Sequence, residues 1–339
     1  MRGCAMSIIS VIIPAYNCAE TIGTTVNSIL HCGLSDFEII LVDDGSEDDT
    51  PALCDELAAE HEVIFCFHQK NSGVSAARNR GLRKASGEYI WFFDADDSVD
   101  ENALRRVAKI LADDAPDMLI FGMSFDYYHK GKLYRRDELL PPMEGSLRTA
   151  DCAGRLYMLY VSNALSSLCT RIIKKRVLIQ AELFLREDMF LYEDLEFALR
   201  VWKQCNSVYF IQEAIYRYRQ LENGGGRLKR VAHIPEVLSI IEEALAGEGD
   251  KDKILLSLYD TLATGKIGVS SREEIKTVCR DYKVWIDEHG LLSSIDEEKR
   301  PMQIYKGQIF RILTGRFYGK VRHRTANWIK QNFGDFRKW

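Results

Sequence analysis

Three clusters of acids carry residue types and spacings that could do chemistry. Asp43-Asp44-Gly45-Ser46 and Asp94-Ala95-Asp96-Asp97 each follow an apolar run, and Glu193-Asp194 opens a later helical pattern. Aspartate is a common turn residue and helix N-cap, so an acid pair alone says little. Acids massed directly behind Trp91-Phe92-Phe93 say more, because they repel one another unless a cation or a hydrogen-bond donor intervenes. Oxygen-only donor sets favour Mg²⁺ or Mn²⁺, which commonly share one or two carboxylates with substrate phosphates. A divalent ion and a diphosphate-bearing substrate are the economical expectation. Between the first two clusters lies Asn71 to Gly81, where small residues open a helix and Arg78 and Arg80 offer forked donors, the makings of a nucleotide wall.

The elements that must position these residues alternate. Apolar runs at Ile8–Ile13, Phe37–Val42, Val63–Phe67, Tyr89–Phe93 and Met118–Phe125 read as strands. Helical spacing at Glu20–Leu30, Pro51–His61, Val74–Ala85 and Glu101–Ala112 falls between them. That alternation predicts an α/β fold, a mostly parallel sheet with helices on both faces. In such sheets ligands sit beyond the carboxyl ends of the strands, where the first two acid clusters fall. Residues 126–150 read as an irregular excursion and 151–220 as a mixed segment, with a helix over Leu195–Trp202 and a strand over Val208–Arg219. Asn223-Gly224-Gly225-Gly226 is the best candidate boundary. It divides a domain at 1–222 from a helical region at 223–339, with helical patterns at Pro235–Leu245, Lys253–Thr264 and Arg272–His289.

Ser10 to Asn17, Ile40 to Ser46, Asn71 to Gly81 and Gly87 to Asp97, taken together and in this order, resemble the family 2 glycosyltransferases. The resemblance spans about residues 7–220 and implies a GT-A fold, a nucleotide-sugar donor (UDP by family habit), a Mn²⁺ or Mg²⁺ ion and inversion at the anomeric carbon. It implies a nucleotide-binding half at about 7–125 and an acceptor half at about 126–222. Carried over position by position, it sets Pro14, Ala15 and Tyr16 beside the nucleobase, with Asp44 as partner of the base ring. Asn71 and Arg78 fall on the nucleotide wall, and Asp94 and Ala95 on the ribose side. Asp96 becomes the metal ligand with Asp97 as a candidate helper, and Asp194 the catalytic base. The family often has Gly immediately before the late acid pair, where this chain has Tyr192. The Gln-x-x-Arg-Trp motif of processive synthases is missing, so addition of one sugar per encounter is expected, in cell-surface polysaccharide or glycolipid assembly.

Composition sets the outer limits. The chain has 339 residues, 46% hydrophobic and 28% charged, with net charge −5, which suits globular domains and excludes wholesale disorder or a basic nucleic-acid coat. Residues 301–339 hold nine Lys/Arg against one acid, leaving +8 on the tail and −13 elsewhere. Interleaved with Phe317, Val321, Trp328 and Ile329, these cations fit either a helix on anionic lipid or one packed on the acidic domain. Nine scattered cysteines with no Cys-x-x-Cys, no secretory leader and no membrane-length apolar run point to a cytoplasmic protein, peripheral at a membrane if the tail binds lipid. The expected acceptor is a glycan or lipid-linked glycan. No Gly-x-Gly-x-x-Gly follows the first strand, which disfavours a dinucleotide oxidoreductase. A metal-dependent nucleotidyltransferase and a sugar-nucleotide-binding pseudoenzyme or partner subunit stay open as alternatives.

Overall fold

The computed structural model describes residues 8–33, 36–100, 104–189, 191–220, 234–255, 257 and 258. Strands β1 (Ile9–Ala15), β2 (Phe37–Asp43), β3 (Ile64–His68) and β4 (Tyr89–Phe92) pair in parallel in the order β3-β2-β1-β4. Helices α1 (Ile22–Leu30), α2 (Thr50–Glu60) and α3 (Val74–Lys84) make the crossovers. The apolar runs without alternation are explained by burial: every residue of β2 and β4 is buried, as a strand covered on both faces must be. One buried acid interrupts the pattern. Glu38 in β2 accepts hydrogen bonds from Ser10 Oγ (2.5 Å) and from the amides of Ser86 (2.6 Å) and Gly87 (3.2 Å), so its charge is answered inside the sheet.

The second half of the sheet departs from a purely parallel one. After β5 (Ser98–Val99) and α4 (Leu104–Asp113), the long β6 (Met118–His129) runs parallel to β10 (Ser207–Gln220). Between β4 and β6 lies β9 (Arg171–Lys174), antiparallel to both. The full order is β3-β2-β1-β4-β9-β6-β10-β5, a mixed sheet whose first four strands are parallel. Trp91 fastens β4 to the approach of β9: its Nε1 donates to the Cys169 carbonyl (2.7 Å), and its ring meets Phe93 and Phe121 edge-on.

The stretch expected to be irregular is a hairpin. β6 continues to His129, turns through Lys130 and Gly131, both at positive φ (47° and 74°), and returns as β7 (Lys132–Leu139). β7 is almost wholly exposed, which removes the apolar alternation by which a strand is read. A short β8 (Gly145–Arg148) pairs with β10, and α5 (Leu156–Val161), α6 (Lys175–Gln180) and α7 (Glu193–Gln204) follow around β9. These elements form one compact unit, which also takes in residues 239–254. A helix α8 spans Ile234–Ala244. The pattern at Arg272–His289 and the basic tail lie outside the described residues. No helix among the described residues is long and apolar enough to cross a membrane.

Candidate active site

β1 lies between β2 and β4, where strand order reverses direction, so the crevice beyond its carboxyl end is the expected ligand position. Pro14 and Ala15 end β1, and the following Tyr16 is 47% exposed at the mouth. The Asp44 amide donates to the Ala15 carbonyl (2.8 Å), which sets the β2 acids against the β1 end. Asp44 is itself buried: Oδ1 accepts from Gln69 Nε2 and the Ser72 amide and Oδ2 from the Gly73 amide, all at 2.8 Å. It thereby anchors the exposed Asn71 loop and the start of α3. Gly45 permits this approach, since its φ is +71° and a Cβ there would lie 2.7 Å from the Asn71 amide nitrogen.

One turn into α3, Arg78 joins the remaining clusters. Its buried guanidinium donates Nη2 to Asp94 Oδ1 (2.9 Å) and Nη1 to Asp194 Oδ1 (2.8 Å). Acids a hundred positions apart thus share one cation. The side chain of Asp194 is 26% exposed and that of Asp94 33%, so both reach the cleft as well as the guanidinium. Loss of hydration pushes the Asp194 carboxyl above its ordinary value; the Arg78 charge pulls it back, Asp94 opposes that pull, and the net shift is upward. Glu193 is also raised, first by burial and then by Asp194. Tyr192 caps α7 in the left-handed region (φ 60°, ψ 19°), the conformation for which glycine is best suited.

The β4 acids face two ways. Asp96 is exposed, has no ion pair among the described residues, and is raised first by partial loss of hydration at its carboxyl and then by Asp94, with Arg219 pulling the other way. Asp97 is fully buried: it accepts from the Tyr216 hydroxyl and from the Arg219 amide (2.9 Å), and burial pushes it up to about 8. Its oxygens serve the interior, so the cluster divides into an outward Asp94 and Asp96 and an inward Asp97. An oxygen-only pair, with Asp96 in no ion pair among the described residues, is chemically suited to Mg²⁺ or Mn²⁺.

Several contributors escape a reading of the acids. Asn79 both donates to the Leu185 carbonyl (2.9 Å) and accepts from its amide (2.8 Å), fixing the loop that leads to Glu193-Asp194. Cys169 Sγ approaches Asp94 Oδ2 at 3.3 Å. Arg171, fully buried in β9, donates to the Ser167 and Ala164 carbonyls and adds positive charge near Asp194. A lone arginine inside Leu168-Cys169-Thr170-Arg171-Ile172-Ile173 was the available signal. Arg80 faces away from Arg78, in a surface groove with Lys70, Arg83 and Glu187.

A mixed α/β sheet with acids gathered at its strand ends is the arrangement of a GT-A fold. Residues 10–170 match the model of glycosyl transferase family 2. The chain is 28% identical over 306 residues to the cholesterol galactosyltransferase of Borreliella burgdorferi, covering 86% of this chain and 83% of that relative. Its fold is similar to residues 1–349 of S. aureus TarS solved with UDP (TM-score 0.60, 20% identity, 78% of this chain and 76% of that one). It is also similar to a mannosyltransferase from Pyrobaculum calidifontis solved with GDP-Man and Mn²⁺ (TM-score 0.52, 16% identity, 82% and 80%). Residues 10–170 thus form a family 2 glycosyl transferase domain, and the chain is a glycosyltransferase.

Proposed function

We propose that this enzyme is an inverting transferase that moves a sugar from a nucleoside diphosphate, UDP by preference, to a hydroxyl of a glycan or lipid-linked glycan. The observation that carries this reading is the Arg78 clasp, which sets Asp194 on the cleft of the β4 acids. Pro14, Ala15, Tyr16 and Asn71 frame the base. Asp44 uses three of its roughly four acceptor positions on protein donors, which leaves room for one base N–H. Asp96, with Asp94 beside it, would hold a Mn²⁺ or Mg²⁺ ion, and Asp97 would not. When bound, that ion supplies Lewis-acid neutralisation of the departing diphosphate.

The remaining work falls to the chain. Asp194, its Oδ1 fixed by Arg78, takes the proton of the acceptor hydroxyl as that oxygen attacks the anomeric carbon. The bond from anomeric carbon to diphosphate oxygen breaks on the opposite face, so configuration inverts without an enzyme nucleophile. A raised carboxyl pKa suits a general base working near neutrality. TarS solved with UDP-GlcNAc supports a UDP-sugar donor, and the relative named for cholesterol supports a lipid-side acceptor. The test is metal-dependent release of nucleoside diphosphate from a panel of sugar nucleotides. Asp194→Asn should bind donor yet turn over about 10²–10⁴-fold more slowly; near-normal turnover would remove the base assignment, and release of pyrophosphate would show a nucleotidyltransferase.

A further inference from the structure

Glycosyl transfer as proposed leaves one cluster of metal-ligating side chains among the described residues unused. It lies on β3, at the opposite edge of the parallel half of the sheet, with two strands between it and β4. Cys66 and His68 are two apart on β3 and share a face of it. Asp55 on α2 reaches the same point: His68 Nε2 lies 3.1 Å from Asp55 Oδ1 and 3.5 Å from Cys66 Sγ. The sulfur, nitrogen and carboxylate ligand atoms all fall within 4.8 Å of one another. Zinc–nitrogen and zinc–oxygen bonds of about 2.0–2.1 Å and zinc–sulfur bonds of about 2.3 Å, at a tetrahedral angle, demand separations of roughly 3.3 Å for N···O and 3.5 Å for N···S. The two His68 separations need only a few tenths of an ångström of adjustment.

The far side of the imidazole is prepared as well. His68 Nδ1 lies 3.0 Å from Asp43 Oδ2, while Asp43 Oδ1 accepts from the Ser46 amide (3.0 Å). A carboxylate on Nδ1 fixes the tautomer that turns the Nε2 lone pair toward a metal, the usual outer support of a metal-bound histidine. Cys54, fully buried on α2, lies within hydrogen-bonding reach of Cys66 and backs the cluster from the core. Thiolate, imidazole and carboxylate together select a borderline-soft ion, unlike the oxygen-only pair at Asp94 and Asp96.

We infer that Cys66, His68 and Asp55 form a Zn²⁺ site with water in its fourth position. Binding takes the thiol proton of Cys66 and the Nε2 proton that His68 holds toward Asp55 to solvent, and links α2 to β3 and, through His68 and Asp43, to the end of β2 that carries Asp44. The site stands independently of the transferase mechanism. Its competitor on the same coordinates is a metal-free hydrogen-bond bridge in which His68 joins Asp43 and Asp55.

The test uses the full chain, stripped of metal and kept reduced, titrated with Co²⁺ as a spectroscopic stand-in and with Zn²⁺ for stoichiometry. The wild type should develop sulfur-to-cobalt charge-transfer absorption that Zn²⁺ bleaches, with one tightly held zinc per chain. Asp96→Ala and Cys54→Ser should keep the absorption, Cys66→Ser should abolish it, and Asp55→Asn, at an exposed side chain, should weaken Zn²⁺ binding tenfold or more without disturbing the fold. Circular dichroism separates loss of site from loss of structure. Absence of the absorption in the wild type, or its persistence in Cys66→Ser, would overturn the site in favour of the hydrogen-bond bridge.

Discussion

Arg78 is a buried cation that serves two carboxylates, and its removal strands both, at a cost of roughly 3–5 kcal/mol. The pH dependence follows from its sign. Arg78 favours the ionised form of Asp194, so in Arg78→Gln the proposed base ionises at higher pH, and the acid limb of the kcat/KM profile should move upward. Arg78→Lys keeps the charge but not the fork. It should hold the limb near its wild-type position while kcat falls, about a hundredfold if the base shifts by an ångström. PH–rate profiles of the two variants check both statements. Tyr192 makes a different prediction, because it pays for a left-handed backbone just before the acids. Tyr192→Gly and Tyr192→Ala delete the same ring and differ in that penalty. Denaturant unfolding should therefore find the glycine variant more stable by about 1–2 kcal/mol.

At the scale of elements, the start of α3 is where Asp44 is coupled to the clustered acids Asp94 and Asp194. Asp44 binds the amides that precede the helix, and Arg78 leaves it one turn later. Gly45→Ala forces a Cβ against the Asn71 amide and strains a positive φ, so it should lower the melting temperature and weaken UDP binding together, as thermal shift and calorimetry would show. The same scale shows what sequence patterning could carry. β1, β2 and β4 are buried on both faces, so their apolar runs and terminal acids are legible. β9 is four residues long and β7 is exposed along its length, so neither leaves a periodic trace. Its insertion between β4 and β6 makes the sheet mixed, and it brings Cys169 and Arg171 to the acids. The division of labour among Asp94, Asp96 and Asp97 was equally hidden, since adjacent letters do not say which side chain turns inward to Tyr216.

Across the whole molecule, Asp117 closes the far half of the sheet. Arg176 Nη2 (2.9 Å), the Asn206 amide (2.9 Å) and the Ser207 amide (3.3 Å) all donate to it, joining the approach to β6 with α6 and the start of β10. Burial alone would raise this carboxyl, yet the hydrogen bonds hold it below its ordinary value. A depressed folded pKa contributes stability above the unfolded value of about 3.9 and loses it as pH falls through the folded one. Asp117→Asn should cost about 1–3 kcal/mol at neutral pH, with the difference from wild type vanishing in acid, as urea unfolding at several pH values would show. Finally, Arg78 and Asn79 are adjacent, yet one grips Asp94 and the other Leu185. Everything threaded between those two points, the β6–β7 hairpin above all, starts and finishes at the same turn of one helix. Doubling an excursion so tethered costs only about 0.6 kcal/mol in chain closure. Such a chain can exchange what that excursion presents across generations while the Arg78 clasp stays where it is.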